Sequence, residues 1–295
     1  RFPMDKYRRL RERILAERVL TPDALRLPEP ATVDDLALAH TPSFIEQVLQ
    51  GTLPPEHQRR IGFPWSPGMV ERSRRSVGAT LAAARWALDE AGMRVSRFAV
   101  GANLAGGTHH SFADWGEGYC VFNDVAVAAR VLQRDGRIAR ATVVDCDVHQ
   151  GNGTASIFAN DPSVFTFSLH GAKNFPFRKE VSDLDVTFED GAGDDEYLSA
   201  LATHLPAVFD RSRPDIVFYL AGADPYEGDR LGRLKLTVGG LRTRDRMVFS
   251  ECRRRGVPVA VAMSGGYAPD VEAIATIHLN TIIEAAYACQ SASDF

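Results

Sequence analysis

Apolar positions along this chain follow two alternating patterns. Short, nearly continuous apolar runs read as strands buried on both faces: FAVGANL from Phe98, ATVVDCD from Ala141, IVFYLAGAD from Ile216 and VPVAVAMSGG from Val257. Longer stretches between them carry apolar residues at the three-to-four-residue spacing of amphipathic helices. They predict helices over roughly 4–19, 33–49, 67–90, 124–133, 194–209, 241–255 and 269–287. Ser66 as N-cap and Pro67 at the first helical position open the third. Strand-like runs, five in all, interleave with these helices, which predicts a single-domain α/β fold over residues 1–295. The expected architecture is a doubly wound, mainly parallel sheet with helices on both faces. The breaker-rich GTLPPEHQRRIGFPW from Gly51 predicts a long surface loop near the site, and residues 171–193 a rim. No repeat, linker or low-complexity tract divides the chain.

The chemistry-bearing residues gather at the ends of the strand-like runs. His109 and His110 follow the first, and Asp145, Asp147 and His149 close the second in DCDVHQGNG. Asp224 ends AGAD, and Tyr267 ends SGGY. In an open α/β sheet the carboxyl ends of strands face one crevice, so these groups are expected in a single site. Asp147 and His149 are two residues apart and project to the same side of an extended segment. Asp224, arriving from another strand, would close a triangle. Two carboxylates and one imidazole leave coordination positions open, the catalytic pattern for zinc, whereas a structural site more often uses four Cys or His. No Cys-x-x-Cys is present. The plainer alternative, that Asp147 and His149 are ordinary loop residues, has to explain the other three groups as coincidence.

Composition narrows the function classes. Net charge is −4, and the basic clusters RRLRER and 253–255 read as solvated helix faces, so nucleic-acid binding is not expected. Cys120, Cys146, Cys252 and Cys289 lack the spacing of a disulfide framework, which points to a reducing, cytoplasmic setting. Strand alternation turns Cys146 away from the metal, into packing. Neither a signal-peptide pattern nor a run long enough to span a membrane is visible, so no membrane association is expected.

GGTHHSFADWGEGYCVFND, DCDVHQGNG, SLHGAKNFPF, AGADPYEGDRLG and SGGY together resemble the zinc-dependent histone deacetylase family and its arginase-like fold. The resemblance runs over nearly the whole chain in the family's order, and EGDRLG and SGGY are most similar to class IV and bacterial members. It implies one zinc ion per chain, held by Asp147, His149 and Asp224, which lowers the pKa of its water and polarises the substrate carbonyl. It further implies that His110 is the general base, that His109 is a charged helper held by Asp145, and that Tyr267 donates to the oxyanion. An inner potassium site is implied at Ser168, Leu169, Asp145, Asp147 and His149; hard oxygen donors suit such an ion. Ser168 could equally bond its own backbone, and an outer cation site near Phe158 and Val164 is a weaker expectation. The opening RFPMDKY matches a segment that follows a first strand in the family, so a first strand upstream is expected.

One position departs from many family members. Asn152 stands where an Asp backs the second histidine; an amide orients the ring but supports its protonated form less, so His110 should titrate lower. Gly118 and Tyr119 match the acyl-lysine channel, with Phe175 or Phe177 as an opposing wall. Leu231 occupies the position where polyamine deacetylases carry a glutamate, which favours an acyl-lysine of a protein or peptide over an acetylpolyamine. Three other readings stay open. An acetoin-utilisation-type or other small-molecule amide hydrolase shares these motifs. An arginase-like binuclear manganese enzyme would want an Asp at the place of Tyr226. A reader of acyl-lysine without activity would be marked by a lost ligand or a lost Tyr267.

Overall fold

The computed structural model describes residues 2–290. In chain order the elements are α1 (Asp5–Ala16), α2 (Val33–Leu36), α3 (Pro42–Gln50), α4 (Pro55–Ile61), α5 (Pro67–Met93), β1 (Val100–Asn103), α6 (Asp124–Arg134), β2 (Ala141–Asp145) and α7 (Asn152–Phe158). There follow β3 (Val164–Gly171), β4 (Leu184–Phe188), α8 (Asp194–Ser212), β5 (Ile216–Leu220), α9 (Val238–Arg255), β6 (Val259–Ala262) and α10 (Val271–Cys289). All strand pairs are parallel, in the order β1-β6-β5-β2-β3-β4.

Alternation along the strands divides the core in two. Ile216, Phe218 and Leu220 of β5 face one apolar layer with Val125, Val131 and Leu81 of α6 and α5. Val217 and Tyr219 face the other, with Phe249 of α9, Leu205 of α8 and Ile277 of α10. Both faces are covered, which is why these strands are apolar throughout rather than alternating.

The strand order also fixes where a site can form. From β2 the chain winds outward through β3 and β4, then returns to lay β5 on the other side of β2 and continues to β6. The reversal opens a crevice beyond the carboxyl ends of β2 and β5, where ligands bind in such sheets.

Several boundaries differ from the sequence reading for local reasons. The single helix expected over 33–49 is two: Thr41 accepts a hydrogen bond from the Phe44 N–H at 3.4 Å, Pro42 takes the first helical position, and α3 begins afresh. The loop expected after Gly51 contains α4, and the rim expected over 171–193 contains β4. Helix α7 was not anticipated; at seven residues it is too short to show a periodicity. α5 does start on Ser66, whose hydroxyl accepts from the Met69 N–H at 3.0 Å.

Candidate active site

β2 and β5 deliver the acidic groups to the crevice. Asp145 is the last residue of β2 and pairs in register with Leu220 of β5 and Ser168 of β3. Beyond it, the Asp145 carboxylate accepts from the Asp147 N–H at 3.1 Å, and Asp147 accepts from the His149 N–H at 3.0 Å. These two turns aim successive side chains into one place. His149 Nδ1 stands 2.9 Å from Asp147 Oδ1 and 3.2 Å from Asp224 Oδ2, all three residues being buried. One ligand atom from each of Asp147, His149 and Asp224 lies within 4.8 Å of the others.

This trio fits a divalent cation. Asp224 Oδ2 is buried with no well-aligned hydrogen bond, its one near polar neighbour being His149 Nδ1 at 3.2 Å, a condition that a cation between the two would relieve. Its other oxygen accepts from the Val148 N–H at 3.0 Å, and Asp147 Oδ2 accepts from Ser264 Oγ at 2.7 Å and the Gly265 N–H at 2.8 Å. The carboxylates are thus oriented from behind with one side left over. Glycine is required beside them: a Cβ on Gly265 would lie 1.9 Å from Asp224 Oδ2. Burial disfavours charge on His149, yet Asp147 and Asp224 outweigh it and hold its pKa up at about 10. On Asp224, burial and the charge of Asp147 raise the pKa to about 7. Excess negative field of this kind is what a bound cation neutralises.

The tandem histidines differ in environment although they are adjacent. His109 Nδ1 donates to Asp145 Oδ2 at 2.7 Å; burial opposes its charge, but Asp145 and Asp147 prevail and raise its pKa to about 9. His110 Nδ1 meets Asn152 Oδ1 at 2.7 Å; burial, then the positive charges of His109 and His149, push its pKa well below the ordinary value. One ring is therefore held charged and its neighbour neutral, with centroids 4.1 Å apart. The hydrogen bond from Asn152 acts the other way and raises the His110 pKa, so the lowering comes from burial and the neighbouring histidines rather than from Asn152.

Tyr267 reaches the crevice from the loop after β6, its ring centroid 6.2 Å from that of His149. Burial, then the charges of Asp147 and Asp224, raise its pKa well above the usual phenol value and keep the hydroxyl protonated. The Tyr267 N–H donates to Asp229 Oδ2 at 2.6 Å, while Asp229 Oδ1 accepts from the N–H groups of Leu231 and Gly232. Asp229 thus fastens EGDRLG to SGGY, a tie the sequence reading missed. From the far side the Lys6 ammonium, fully buried in α1, donates to the carbonyls of Ser264 at 3.1 Å and Gly266 at 3.5 Å.

The residues expected to line a channel are placed differently from one another. Tyr119 lies 6.0 Å from Tyr267, 5.2 Å from Phe63 and 5.1 Å from Phe2 by ring centroids, which builds an aromatic wall. Gly118 has φ +56° and passes so close to His110 that a Cβ there would lie 2.7 Å from its ring. The ring opposite is Phe175, edge-on to His110 at 5.0 Å; Phe177 is instead 85% exposed, 6.3 Å further out from Phe175. Two positions along the loop thus separate a ring at the site from a ring in solvent. Leu231 is 40% exposed and its carbonyl accepts from Asn174 at 2.8 Å, so its backbone is used and its side chain is free.

Behind the trio, Ser168 Oγ meets His170 Nδ1 at 2.9 Å, and Leu169 is buried in the core. Phe158 and Val164 have core side chains, so any cation there would meet backbone oxygens alone. Cys146 is buried, as expected of a packing residue. Arg244 of α9 is fully buried and donates to the carbonyls of Gly222 at 2.7 Å and Cys146 at 3.2 Å, each close to a trio ligand. Its charge is met by Asp245, which also accepts from Tyr219 and Thr281. This network, too, left no signal in the sequence beyond an arginine inside an amphipathic stretch.

A doubly wound parallel sheet with a buried Asp-His-Asp trio where its strands end has the architecture of the arginase-deacetylase fold. Residues 1–282 match the family model for the histone deacetylase domain. The chain belongs to the histone deacetylase family. It is 45% identical over 278 residues to an uncharacterized protein of Picosynechococcus, covering 94% of this chain and 90% of that one. It is 31% identical over 231 residues to the acetoin utilization protein AcuC of Bacillus subtilis, covering 72% and 58%. With histone deacetylase 2 of Arabidopsis thaliana it shares 28% over 275 residues, covering 90% and 69%. A crystal structure of an HDAC homolog complexed with SAHA superimposes with a TM-score of 0.80 at 24% identity, covering 96% of this chain and 77% of that one, which shows the fold. Among the described residues no helix is long and apolar enough to cross a membrane.

Proposed function

We propose that this family hydrolase is a zinc-dependent lysine deacylase, cleaving the amide of an acyl-lysine in a protein or peptide. The observation that carries the reading is geometric: Asp147, His149 and Asp224 bring one ligand atom each within 4.8 Å of one another, beside His109 on Asp145 and His110 on Asn152, each pair at 2.7 Å. A zinc ion held by Asp147, His149 and Asp224 would supply Lewis acidity toward the substrate carbonyl and activation of a water.

The protein's own groups account for the rest. His110 is kept neutral, so it can accept the proton of the attacking water and later return it to the departing lysine amine. His109 stays charged beside it, stabilising developing negative charge. Tyr267 donates its hydroxyl hydrogen to the carbonyl oxygen as that oxygen becomes an oxyanion. Tyr119 and Phe175 flank the methylene stem of the lysine, with Gly118 letting the chain pass close, Phe177 further out and Leu231 at the rim. Potassium behind the trio, at Asp145, Asp147, His149, Ser168 and Leu169, would stiffen the carbonyls that follow β2. The free cysteines fit a reducing, cytoplasmic setting.

Similarity to AcuC keeps a small-molecule amide substrate as the competing reading. The test is a turnover panel of acetyl-, longer-acyl- and trifluoroacetyl-lysine peptides beside acetylated polyamines, with metal content measured on the same sample. Preferential cleavage of acyl-lysine with one zinc per chain is the expected result. Preference for acetylpolyamine, or two manganese ions per chain, would overturn it.

A further inference from the structure

Behind His110 the hydrogen-bond chain does not stop at Asn152. The amide Nδ2 of Asn152 donates to Glu117 Oε1 at 2.7 Å, while its Oδ1 faces His110 Nδ1 at 2.7 Å. Asn152 is buried and Glu117 half-buried in the GEGYC turn. An amide on its own can present either end to an imidazole, so it does not choose a tautomer. Glu117 removes that freedom. An ionised carboxylate only accepts, so Nδ2 must point to it, Oδ1 must point to His110, and Nδ1 of His110 must carry the hydrogen.

We propose that Glu117 is the positioning residue for His110: acting through Asn152, it fixes the Nδ1–H tautomer and leaves Nε2 with the free lone pair. The negative charge that an aspartate would place directly behind the ring is here set one group further back. The consequence for ring orientation is kept, while the charge bears less on the ring itself. The kinetic side of this inference rests on the deacylase reading above; the tautomer does not.

The experiment uses the zinc-loaded full chain labelled with nitrogen-15 at histidine. Long-range proton–nitrogen correlation reads the tautomer of His110, whose signals are identified by their loss in His110→Ala. Wild type should show the Nδ1–H form alone. Glu117→Gln keeps size and hydrogen bonding but can donate as well as accept, so the Nε2–H form should appear. Turnover on an acetyl-lysine peptide should fall about 10-fold, the usual scale for such outer partners, with KM and zinc content unchanged. Asn152→Asp alone sets two carboxylates face to face and should also lose activity. Combined, Asn152→Asp and Glu117→Gln restore one acceptor-only group behind His110, and turnover should exceed the product of the two single effects. An unchanged tautomer in Glu117→Gln, or strictly multiplicative losses in the double variant, would overturn the proposal. If wild type fails to cleave acyl-lysine, the deacylase reading falls and the tautomer measurement alone decides the role of Glu117.

Discussion

The ammonium of Lys6 donates to the carbonyl of Ser264, so the first helix of the chain holds the loop that carries Tyr267. The ring faces of Phe2, Tyr7 and Tyr267 surround the same nitrogen. Ser264 sits at φ +56°, a conformation that costs a non-glycine residue and persists only where neighbours enforce it. Burial lowers the Lys6 pKa to about 8, against the opposing pull of Asp224, Asp147 and Asp229, and leaves it mainly charged at neutral pH.

Lys6→Met should therefore loosen Tyr267 without touching the metal trio. A charged hydrogen bond contributes about 1.5–3 kcal/mol, so turnover should fall about 10-fold or more while metal content is retained. Steady-state kinetics with metal analysis checks this. In wild type, activity should also decline as pH rises through 8, and Lys6→Met should lack that limb.

Tyr267→Phe keeps the ring and its contacts but removes the hydroxyl proposed as oxyanion donor. Turnover should drop on the order of 10²- to 10³-fold with little change in KM. Near-wild-type turnover on an acetyl-lysine peptide would leave the phenol outside the chemistry.

The histidine pair should separate in kinetics as it does in electrostatics. His110→Ala is expected to lower turnover by roughly 10²- to 10⁴-fold, the range for a lost general base. His109→Ala should lose less, and both should retain zinc, since neither belongs to the trio. Equal, small losses would contradict the assignment of His110 as base.

Stability of the metal-free chain should depend on pH through the trio. Asp224 has a folded pKa raised to about 7, so its contribution is full below the ordinary carboxylate value of 3.8 and is lost as pH rises through 7. His149, raised to about 10, contributes fully below 6.5 and loses that contribution on the way up to 10. Both signs agree for the trio, whereas His40, His110, His170 and His278, whose pKa values burial lowers, stabilise the chain as pH rises toward 6.5; the apo chain should therefore melt at lower temperature as pH increases from about 7 to 8, where the trio's effect is no longer opposed. Metal binding releases protons from the same groups, so the zinc-induced rise in Tm should be larger at pH 8 than at pH 5. Thermal scans with and without chelator decide this, and a zinc effect independent of pH would contradict it.

What was legible in the sequence follows a physical rule. Asp147, His149, Asp224, His109, His110 and Tyr267 could be read because each ends a long apolar run, and a parallel sheet sends such ends to one crevice. α7 and β4 could not, since seven and five residues show no distinguishing periodicity. Glu117 and Asp229 were hidden because they act across loops whose folding no local pattern encodes. Asn152 held a clue: a neutral amide where a carboxylate was expected raises the question of which residue carries the charge, and GEGYC offered a candidate. Phe175 was favoured over Phe177 only once the path of the loop around Pro176 was visible.

Arg244 bears on how the trio is held. By gripping the carbonyls of Cys146 and Gly222, it fixes the backbone next to Asp147 and near Asp224 with a fully internal charge. The side chains of Asp147 and Asp224 are thus presented by a backbone braced from inside the protein by a residue that is not itself one of the three. Two carboxylates and one imidazole suit several divalent metals, so under the proposed reading the ion that occupies the trio would depend on the supply around the protein as well as on affinity.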